Sequence, residues 1–226
     1  MRKNRGFTLV ELLVVVGIVL LLAGIMLPTL LKAKEGQLER NCRAEIELLK
    51  VALDQYKDQF GDYPPSRLRD LGDLTDTTDG SGLTTGQNVG NRALVACLAT
   101  TLGRGPYFPS YILRGADKLR VTRQRPVTNP PDTPLTGWTF SDDSYRELLD
   151  PWGTPYIYLH NRDYAPDQRQ VYTIEGKADG VRAANSTATA QKDENGIFRG
   201  AASFQLWSAG PDRINDDGGL DDISSW

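Results

Sequence analysis

The chain has 226 residues, of which 26 are lysine or arginine and 29 are aspartate or glutamate, giving a net charge of −3. This small negative charge and the scattered basic residues indicate no nucleic-acid partner. With one histidine, two cysteines and no Cys-x-x-Cys pair, a zinc or redox site is not expected.

The N-terminus combines a short basic leader with a long apolar run. Arg2, Lys3 and Arg5 precede Leu12–Leu31, a stretch of 20 positions without a charged residue. At about 1.5 Å per residue, such a helix spans the roughly 30 Å core of a bilayer. We expect a single membrane pass with the basic leader on the cytoplasmic side.

Glu11 is the one charge inside the apolar zone, and a carboxylate in a bilayer needs a partner or a route to the interface. A secretory signal peptide would have an apolar core of only about 7–15 residues before a small-residue cleavage site. A plain transmembrane anchor explains the length of the run but not Glu11. A third alternative is that Glu11 reaches the cytoplasmic interface near the leader.

The helical pattern continues beyond the apolar run. Apolar residues recur every three or four positions and predict an amphipathic helix over 32–60: Leu38, Cys42, Ile46, Leu49, Leu53, Tyr56 and Phe60. Glu45 is among the charged residues assigned to the other faces. One helix of about 54 residues, on the order of 80 Å long, is expected from Phe7 to Phe60. Gly61 and the following prolines end it.

The middle of the chain has weaker patterns. Leu71–Asn91 is rich in Gly, Thr and Asp and is expected to form a loop. Helical spacing predicts a second helix near 91–102, with Asn91 as its N-cap. Gly103–Asp143 is expected to be an insertion of loops and short strands.

Three short aromatic and β-branched runs follow, at Tyr156–Leu159, Gln170–Ile174 and Ser203–Trp207. They predict an antiparallel sheet of about three strands laid against the amphipathic half of the long helix. The expected fold class is therefore α+β. The expected segments are a leader (1–6), a membrane half of the helix (7–31), an amphipathic half (32–60), a loop-rich region (61–149) and a sheet region with an acidic loop (150–226).

The last stretch contains five aspartates within eleven residues and a single arginine among them. Crowded carboxylates in a Gly-rich loop suit Ca²⁺, which takes six to eight oxygen ligands. The pattern is not an EF-hand, because no glutamate closes a twelve-residue loop. A solvated acidic turn without metal is the alternative. The candidate ligands are Asp212, Asp216, Asp217, Asp221 and Asp222.

Other chemical sites are not indicated. Cys42 and Cys97 are either a disulfide pair or two separate core residues. His160 stands alone at the end of an expected strand and is predicted to be a surface residue. Because no nucleophile elbow, phosphate-binding loop or hydrolase motif occurs, we do not expect an enzyme.

Three motifs resemble the type IV pilin-like superfamily, and most closely the major (G-type) pseudopilin of type II secretion. They are Gly6-Phe-Thr-Leu-Val-Glu11 before the apolar run, Asp150-Pro-Trp-Gly-Thr-Pro-Tyr156, and the acidic loop. The resemblance implies that a prepilin peptidase cuts between Gly6 and Phe7 and that Phe7 is then N-methylated. It also implies that Glu11 pairs with the freed amine of Phe7 in a neighbouring subunit, which links subunits into a filament.

The resemblance further implies Ca²⁺ in the acidic loop. The family pattern SxGxDG…ADIxxW is matched at Ser208, Gly210, Asp212, Asp222, Ile223 and Trp226. Asp212 and Asp222 are therefore the first choices as ligands, with Asp216, Asp217 and Asp221 competing for a further position and the backbone near Leu206 completing the sphere. Arg213 stands where glycine is usual, and Asp221 stands where alanine is usual.

The function implied is that of a structural subunit of a periplasmic pseudopilus that drives protein export from the bacterial inner membrane. The implied partners are further copies of the chain, minor pseudopilins, the prepilin peptidase and the inner-membrane assembly platform. Two other functions are compatible with parts of the sequence. One is a type IV pilus subunit for adhesion, motility or DNA uptake, and the other is a monomeric membrane-anchored calcium-dependent binding protein.

Overall fold

The structure is a computed structural model that describes residues 9–71, 83–99, 104–108, 119–124, 144–164, 169–173 and 185–226. The chain divides into two compact units, Met1–Leu38 and Glu39–Trp226. The first unit contains the apolar part of the long helix. The second contains the amphipathic part of that helix and all of the strands.

The long helix, α1, runs from Leu9 to Phe60 and has 52 residues. Its expected first two residues lie outside the described part of the chain. Within the first unit its large apolar side chains are exposed, Leu9 by 78% and Leu22 by 52%. Among the described residues, α1 is the one helix long and apolar enough to cross a membrane. Such exposure suits a lipid environment and suggests a membrane anchor.

Within the second unit, α1 buries the predicted apolar stripe. Its central positions are fully buried, whereas Phe60 at its end is half-buried; Leu38, the first position of the predicted stripe, is half-buried and is the last residue of the first unit. The assignment of Glu45 to an outer face is wrong. Glu45 is 9% exposed, because it projects toward the sheet and its Oε2 accepts a hydrogen bond of 2.9 Å from the Tyr156 hydroxyl. The helix ends at Phe60, and the next residue, Gly61, has a φ of +85°, a left-handed conformation that glycine adopts readily.

The second helix, α2, spans Val89–Leu98, two residues earlier in the chain than its expected N-terminus. Asn91 is not its cap. Asn88 occupies that position in a left-handed conformation, without a side-chain cap hydrogen bond. Asn91 is instead 2% exposed inside the helix, where its amide bonds both backbone groups of Leu148 and the carbonyl of Tyr156. These bonds tie α2 to the sheet region.

Eight strands are described, and they form three small sheets. Strand β5 (Arg169–Thr173) falls on one of the predicted runs, but it pairs with β1 (Leu83–Gln87) and β6 (Asn185–Ala188) rather than with the other two predicted strands. The expected loop over Leu71–Asn91 therefore contains a strand, β1, which is parallel to β5. The strands are β1 Leu83–Gln87, β2 Leu119–Gln124, β3 Ser144–Leu148, β4 Ile157–His160, β5 Arg169–Thr173, β6 Asn185–Ala188, β7 Phe204–Ser208 and β8 Ile223–Ser224.

The sheet β4-β7-β8 is antiparallel and organises the core of the second unit. Alternate residues of β4 point to opposite faces. Tyr158 donates a hydrogen bond of 2.6 Å to the carbonyl of Pro64, just after α1, whereas Ile157 and Leu159 join an apolar cluster with Trp207. Both faces of β4 are thus covered. A long N-terminal helix with a small antiparallel sheet confirms the predicted α+β, pilin-like arrangement.

The two cysteines are free and buried, so the disulfide alternative is wrong. Cys42 lies 3.6 Å from the Tyr156 hydroxyl, whereas Cys97 lies beside Tyr56. Tyr56 is four helical turns beyond Cys42, which is roughly 21 Å along the helix axis. A disulfide requires Cα atoms less than about 7 Å apart, so these two thiols occupy separate parts of the core.

Candidate functional site

The acidic loop connects β7 to β8, and its first anchor is a buried carboxylate. Asp150 is 3% exposed and accepts a hydrogen bond of 2.6 Å from the Ser208 hydroxyl. Asp150 also accepts the backbone N–H groups of Trp152 and Thr154 and the Thr154 hydroxyl. Burial raises the pKa of Asp150. The tight turn that begins at Asp150 therefore fixes the residue from which the loop starts.

Three of the five candidate aspartates come together in the loop. Asp212, Asp216 and Asp221 each offer a carboxylate oxygen, and these oxygens all lie within 4.8 Å of one another. Oxygens that share one Ca²⁺ at 2.3–2.6 Å can be at most about 5 Å apart. The spacing of this trio therefore fits a calcium ion.

Asp222 lies beside the trio and has an unusual environment. Its Oδ2 accepts the backbone N–H groups of Asp216 (2.9 Å) and Gly218 (2.7 Å). Its Oδ1 is buried and has no hydrogen-bond partner among the described residues. Burial, together with the nearby charges of Asp216 and Asp221, raises the pKa of Asp222 to about 7. A buried, unsatisfied carboxylate oxygen beside crowded acids is the environment that a divalent cation would relieve.

Asp217 and Leu206 have other roles in the structure. Both carboxylate oxygens of Asp217 bond Thr189, at 3.1 Å to its N–H and 3.1 Å to its hydroxyl. Asp217 thus holds the loop against the chain after β6. The Leu206 carbonyl accepts the N–H of Ser225 at 2.9 Å.

The loop backbone is turned by several residues with positive φ. Gly210 has a φ of +63°, and a Cβ there would lie 2.4 Å from the Asp221 carbonyl oxygen, so the close approach requires glycine. Arg213, Asp217 and Leu220 adopt φ values of 63°, 55° and 44°. Arg213, at the position where glycine is usual in the family pattern, thus adopts a left-handed conformation, which glycine adopts most readily. These turns fold the loop back on itself and bring the trio together.

Two tryptophans cover the loop, a feature that the sequence analysis missed. The Trp226 ring contacts Gly218 so closely that a Cβ on Gly218 would lie 2.3 Å from it. The Trp226 and Trp207 rings meet edge to face at 5.8 Å, and the Trp207 indole donates a hydrogen bond of 2.9 Å to Asn215. The match of Trp226 to the family pattern was the available signal, but contact with Gly218 depends on how the loop folds.

His160 is buried, so its assignment to the surface is wrong. It is 1% exposed, and its Nδ1 accepts the N–H of Arg162 at 3.1 Å while its Nε2 faces Asp62 at 3.2 Å. Burial lowers the pKa of His160, so we assign a neutral imidazole with its proton on Nε2. Both ring nitrogens are occupied by local contacts, which gives His160 a structural role.

The residues implied in processing are at the N-terminus. Gly6 and Phe7 lie outside the described residues. Glu11 lies in the first turns of α1 and is exposed, among exposed apolar side chains.

Comparison with known proteins bears on this N-terminal region. Residues 1–27 match the family described as the prokaryotic N-terminal methylation motif. The chain is 44% identical over 64 residues to type II secretion system core protein G of Vibrio cholerae, a match that covers 28% of this chain and 44% of the relative. It is 40% identical over 62 residues to the protein of the same name from Escherichia coli, covering 27% and 43%. The Klebsiella pneumoniae protein of that name is 38% identical over 64 residues, covering 28% and 46%.

The chain therefore matches less than half the length of these relatives. No solved structure matches it. The chain carries a prepilin-type N-terminal methylation motif at the head of an apolar helix, and its N-terminal region is similar to type II secretion core protein G.

Proposed function

We propose that this protein is a pseudopilin, a structural subunit of a filament that serves a type II secretion system. The observation that carries the proposal is the methylation motif at residues 1–27, which leads into a helix with exposed apolar side chains. Similarity to type II secretion core protein G favours the secretion filament over a type IV pilus. The chain is anchored in the bacterial inner membrane, with the leader cytoplasmic and the second unit periplasmic.

Assembly joins the freed amine of Phe7 in one subunit to the carboxylate of Glu11 in the next. Glu11 belongs to the exposed, lipid-compatible part of α1, where an ionised group is costly unless an opposite charge neutralises it. A head-to-tail contact of this kind produces an open helical filament rather than a closed ring. Cleavage after Gly6 is required, because it creates the amine. Minor pseudopilins and an inner-membrane platform complete the apparatus.

Filament assembly of the full chain tests the proposal, with expression beside a prepilin peptidase and a type II secretion platform. We expect N-terminal mass analysis to find a methylated Phe7 and electron microscopy to find filaments. Glu11→Ala should abolish the filaments. Glu35→Ala is the matched control, because Glu35 is also exposed on α1 but lies beyond the apolar run. Filaments that form equally with Glu11→Ala would contradict the proposed assembly contact.

We further propose that the acidic loop holds a structural Ca²⁺. Asp212, Asp216 and Asp221 provide carboxylates at suitable spacing, and Asp222 has a buried oxygen without a partner among the described residues. Bound calcium would neutralise this crowded loop and fix its position against β7 and β8. Calorimetric titration of chelator-treated full chain in detergent should detect binding, and Asp212→Asn or Asp221→Asn should weaken it. Unchanged affinity in both variants would contradict this ligand assignment.

A further inference from the structure

We propose that Trp226 is a positioning residue for calcium binding: its indole holds the acidic loop in its cation-binding conformation. The inference rests on the calcium site proposed above and extends it to a residue that offers no carboxylate ligand. It identifies a packing contact, rather than a ligand, as a determinant of metal affinity.

The ring of Trp226 is in direct contact with Gly218. Ring atoms of Trp226 lie so close to Gly218 that an added Cβ would be 2.3 Å and 2.8 Å from two of them. Gly218 has a φ of +80°, which a side chain would also disfavour. The loop is therefore shaped to receive the indole directly on its backbone.

Two backbone hydrogen bonds connect the contact between Trp226 and Gly218 to the carboxylate of Asp222. The N–H of Gly218 donates a hydrogen bond of 2.7 Å to Asp222, whose same oxygen accepts the N–H of Asp216 at 2.9 Å. The packing of the indole on Gly218 thus holds the Asp222 carboxylate beside Asp216, a member of the trio. Displacing Gly218 would remove one of the two hydrogen bonds that hold the Asp222 carboxylate beside Asp216.

Trp226 is itself held in place by packing contacts of its ring and by hydrogen bonds of the preceding residue. Its ring packs against Trp207 at 5.8 Å, and the guanidinium of Arg199 lies 5.9 Å from the ring centre. The preceding residue, Ser225, exchanges hydrogen bonds of 2.9 Å and 3.2 Å with Leu206 of β7. Lys50 of α1 donates a further bond of 3.3 Å to the Ser225 carbonyl. The indole therefore has ring contacts outside the acidic loop, and the backbone beside it is anchored to the sheet and to α1.

The consequence concerns the metal-free state. Without the indole, the mutually repelling carboxylates are free to separate, and only a fraction of molecules keeps the binding conformation. The apparent affinity for Ca²⁺ is then the intrinsic affinity multiplied by that fraction. Groups outside the ligand shell that orient ligands typically contribute 10–100-fold to metal affinity. We expect Trp226→Ala to weaken Ca²⁺ binding at least about tenfold. The Trp226→Phe variant, which keeps a ring on Gly218, should bind Ca²⁺ much more tightly than the Trp226→Ala variant.

The experiment uses the full chain in detergent, stripped with chelator and titrated calorimetrically with Ca²⁺. Phe198→Ala is the matched control, because Phe198 is likewise a partly exposed ring that packs on one aromatic residue, Tyr164, and lies under a cation, Lys192. This control should keep wild-type affinity. Gly218→Ala is the second variant, which disturbs the same contact from the loop side and should also lose affinity.

A purely structural role for the ring gives a different result. It would lower the thermal midpoints of the calcium-free and calcium-loaded forms equally and leave the dissociation constant unchanged. That outcome for Trp226→Ala or for Gly218→Ala, with the wild type binding normally, overturns the positioning role and leaves the calcium site standing. A wild type that binds no Ca²⁺ overturns both proposals, and neither result depends on filament assembly.

Discussion

Replacing Asp222 by asparagine should raise stability without calcium and reduce the stabilisation that calcium adds. The side chain of Asp222 accepts two backbone N–H groups through Oδ2, and an asparagine carbonyl can accept the same two bonds. Its Oδ1 is buried and lacks a partner within the described part of the chain. An amide NH₂ at that position removes the buried negative charge. The substitution thus stabilises the metal-free protein by removing a buried charge, but it also removes an anionic group from the proposed metal site.

The magnitude follows from the pKa of Asp222. The folded state raises this pKa from 3.8 to about 7, so the folded metal-free chain binds the proton more tightly than the unfolded chain. Stability is therefore lost as pH rises from about 4 to about 7. At 1.36 kcal/mol for each pKa unit, the full loss is about 4 kcal/mol, and solvent near this half-exposed loop reduces it to about 2 kcal/mol.

The assay is thermal unfolding of the full chain in detergent at slightly alkaline pH, with chelator or with excess calcium. In chelator, Asp222→Asn should raise the unfolding midpoint by about 4–8 °C. The rise of the midpoint on adding calcium should be smaller in this variant than in the wild type. Calcium at 100 times its dissociation constant contributes about 2.7 kcal/mol.

Asp193 provides a matched control because it also accepts two backbone N–H groups in a tight turn, at 2.9 Å each. Those hydrogen bonds lower the pKa of Asp193, so its ionised form is favoured by folding. Asp193→Asn should therefore destabilise the protein equally with and without calcium. If Asp222→Asn lowered the midpoint in chelator, the reasoning about its buried charge would be refuted.

Three further predictions concern the core. Asn91→Ala should lower the free energy of unfolding by about 3 kcal/mol, because it leaves three buried backbone groups without their amide partner; a denaturant titration with an unchanged midpoint would contradict this. Burial lowers the pKa of His160, so stability should decline as pH falls below about 6.5; in an Asp222→Asn background, His160→Gln should flatten that pH profile of the thermal midpoint. Because Cys42 and Cys97 are unpaired, a reductant should leave the unfolding midpoint unchanged, and a shift would indicate a disulfide.

Local pattern determined much of this protein. An uncharged apolar run of 20 residues is long enough to cross a bilayer as a helix, so the apolar part of α1 was predictable from composition. The three- and four-residue spacing then predicted which face of α1 is buried, and the structure confirms its central positions. Strand-forming runs were likewise recognised from their aromatic and β-branched residues. These features depend on residues close together in the sequence.

Only the tertiary structure decided which distant groups meet. Alternation shows that β5 is a strand, but strand pairing is not encoded in that pattern, and β5 joined β1 and β6 rather than β4. Glu45 was expected on an outer face because it is charged, and His160 at the surface because it stands alone at a strand end. The Tyr156 hydroxyl bonds Glu45, and the Asp62 carboxylate, just after α1, faces His160, so both buried groups have polar partners.

The acidic loop shows the same division. Its composition indicated a cation site, because five carboxylates in eleven residues repel one another. Which of them converge depends on the backbone turns at Gly210, Arg213 and Leu220, which local composition does not reveal. Sequence thus determined the chemistry available at each position, whereas the fold, by fixing distances between residues far apart in the chain, determined which of those groups act together.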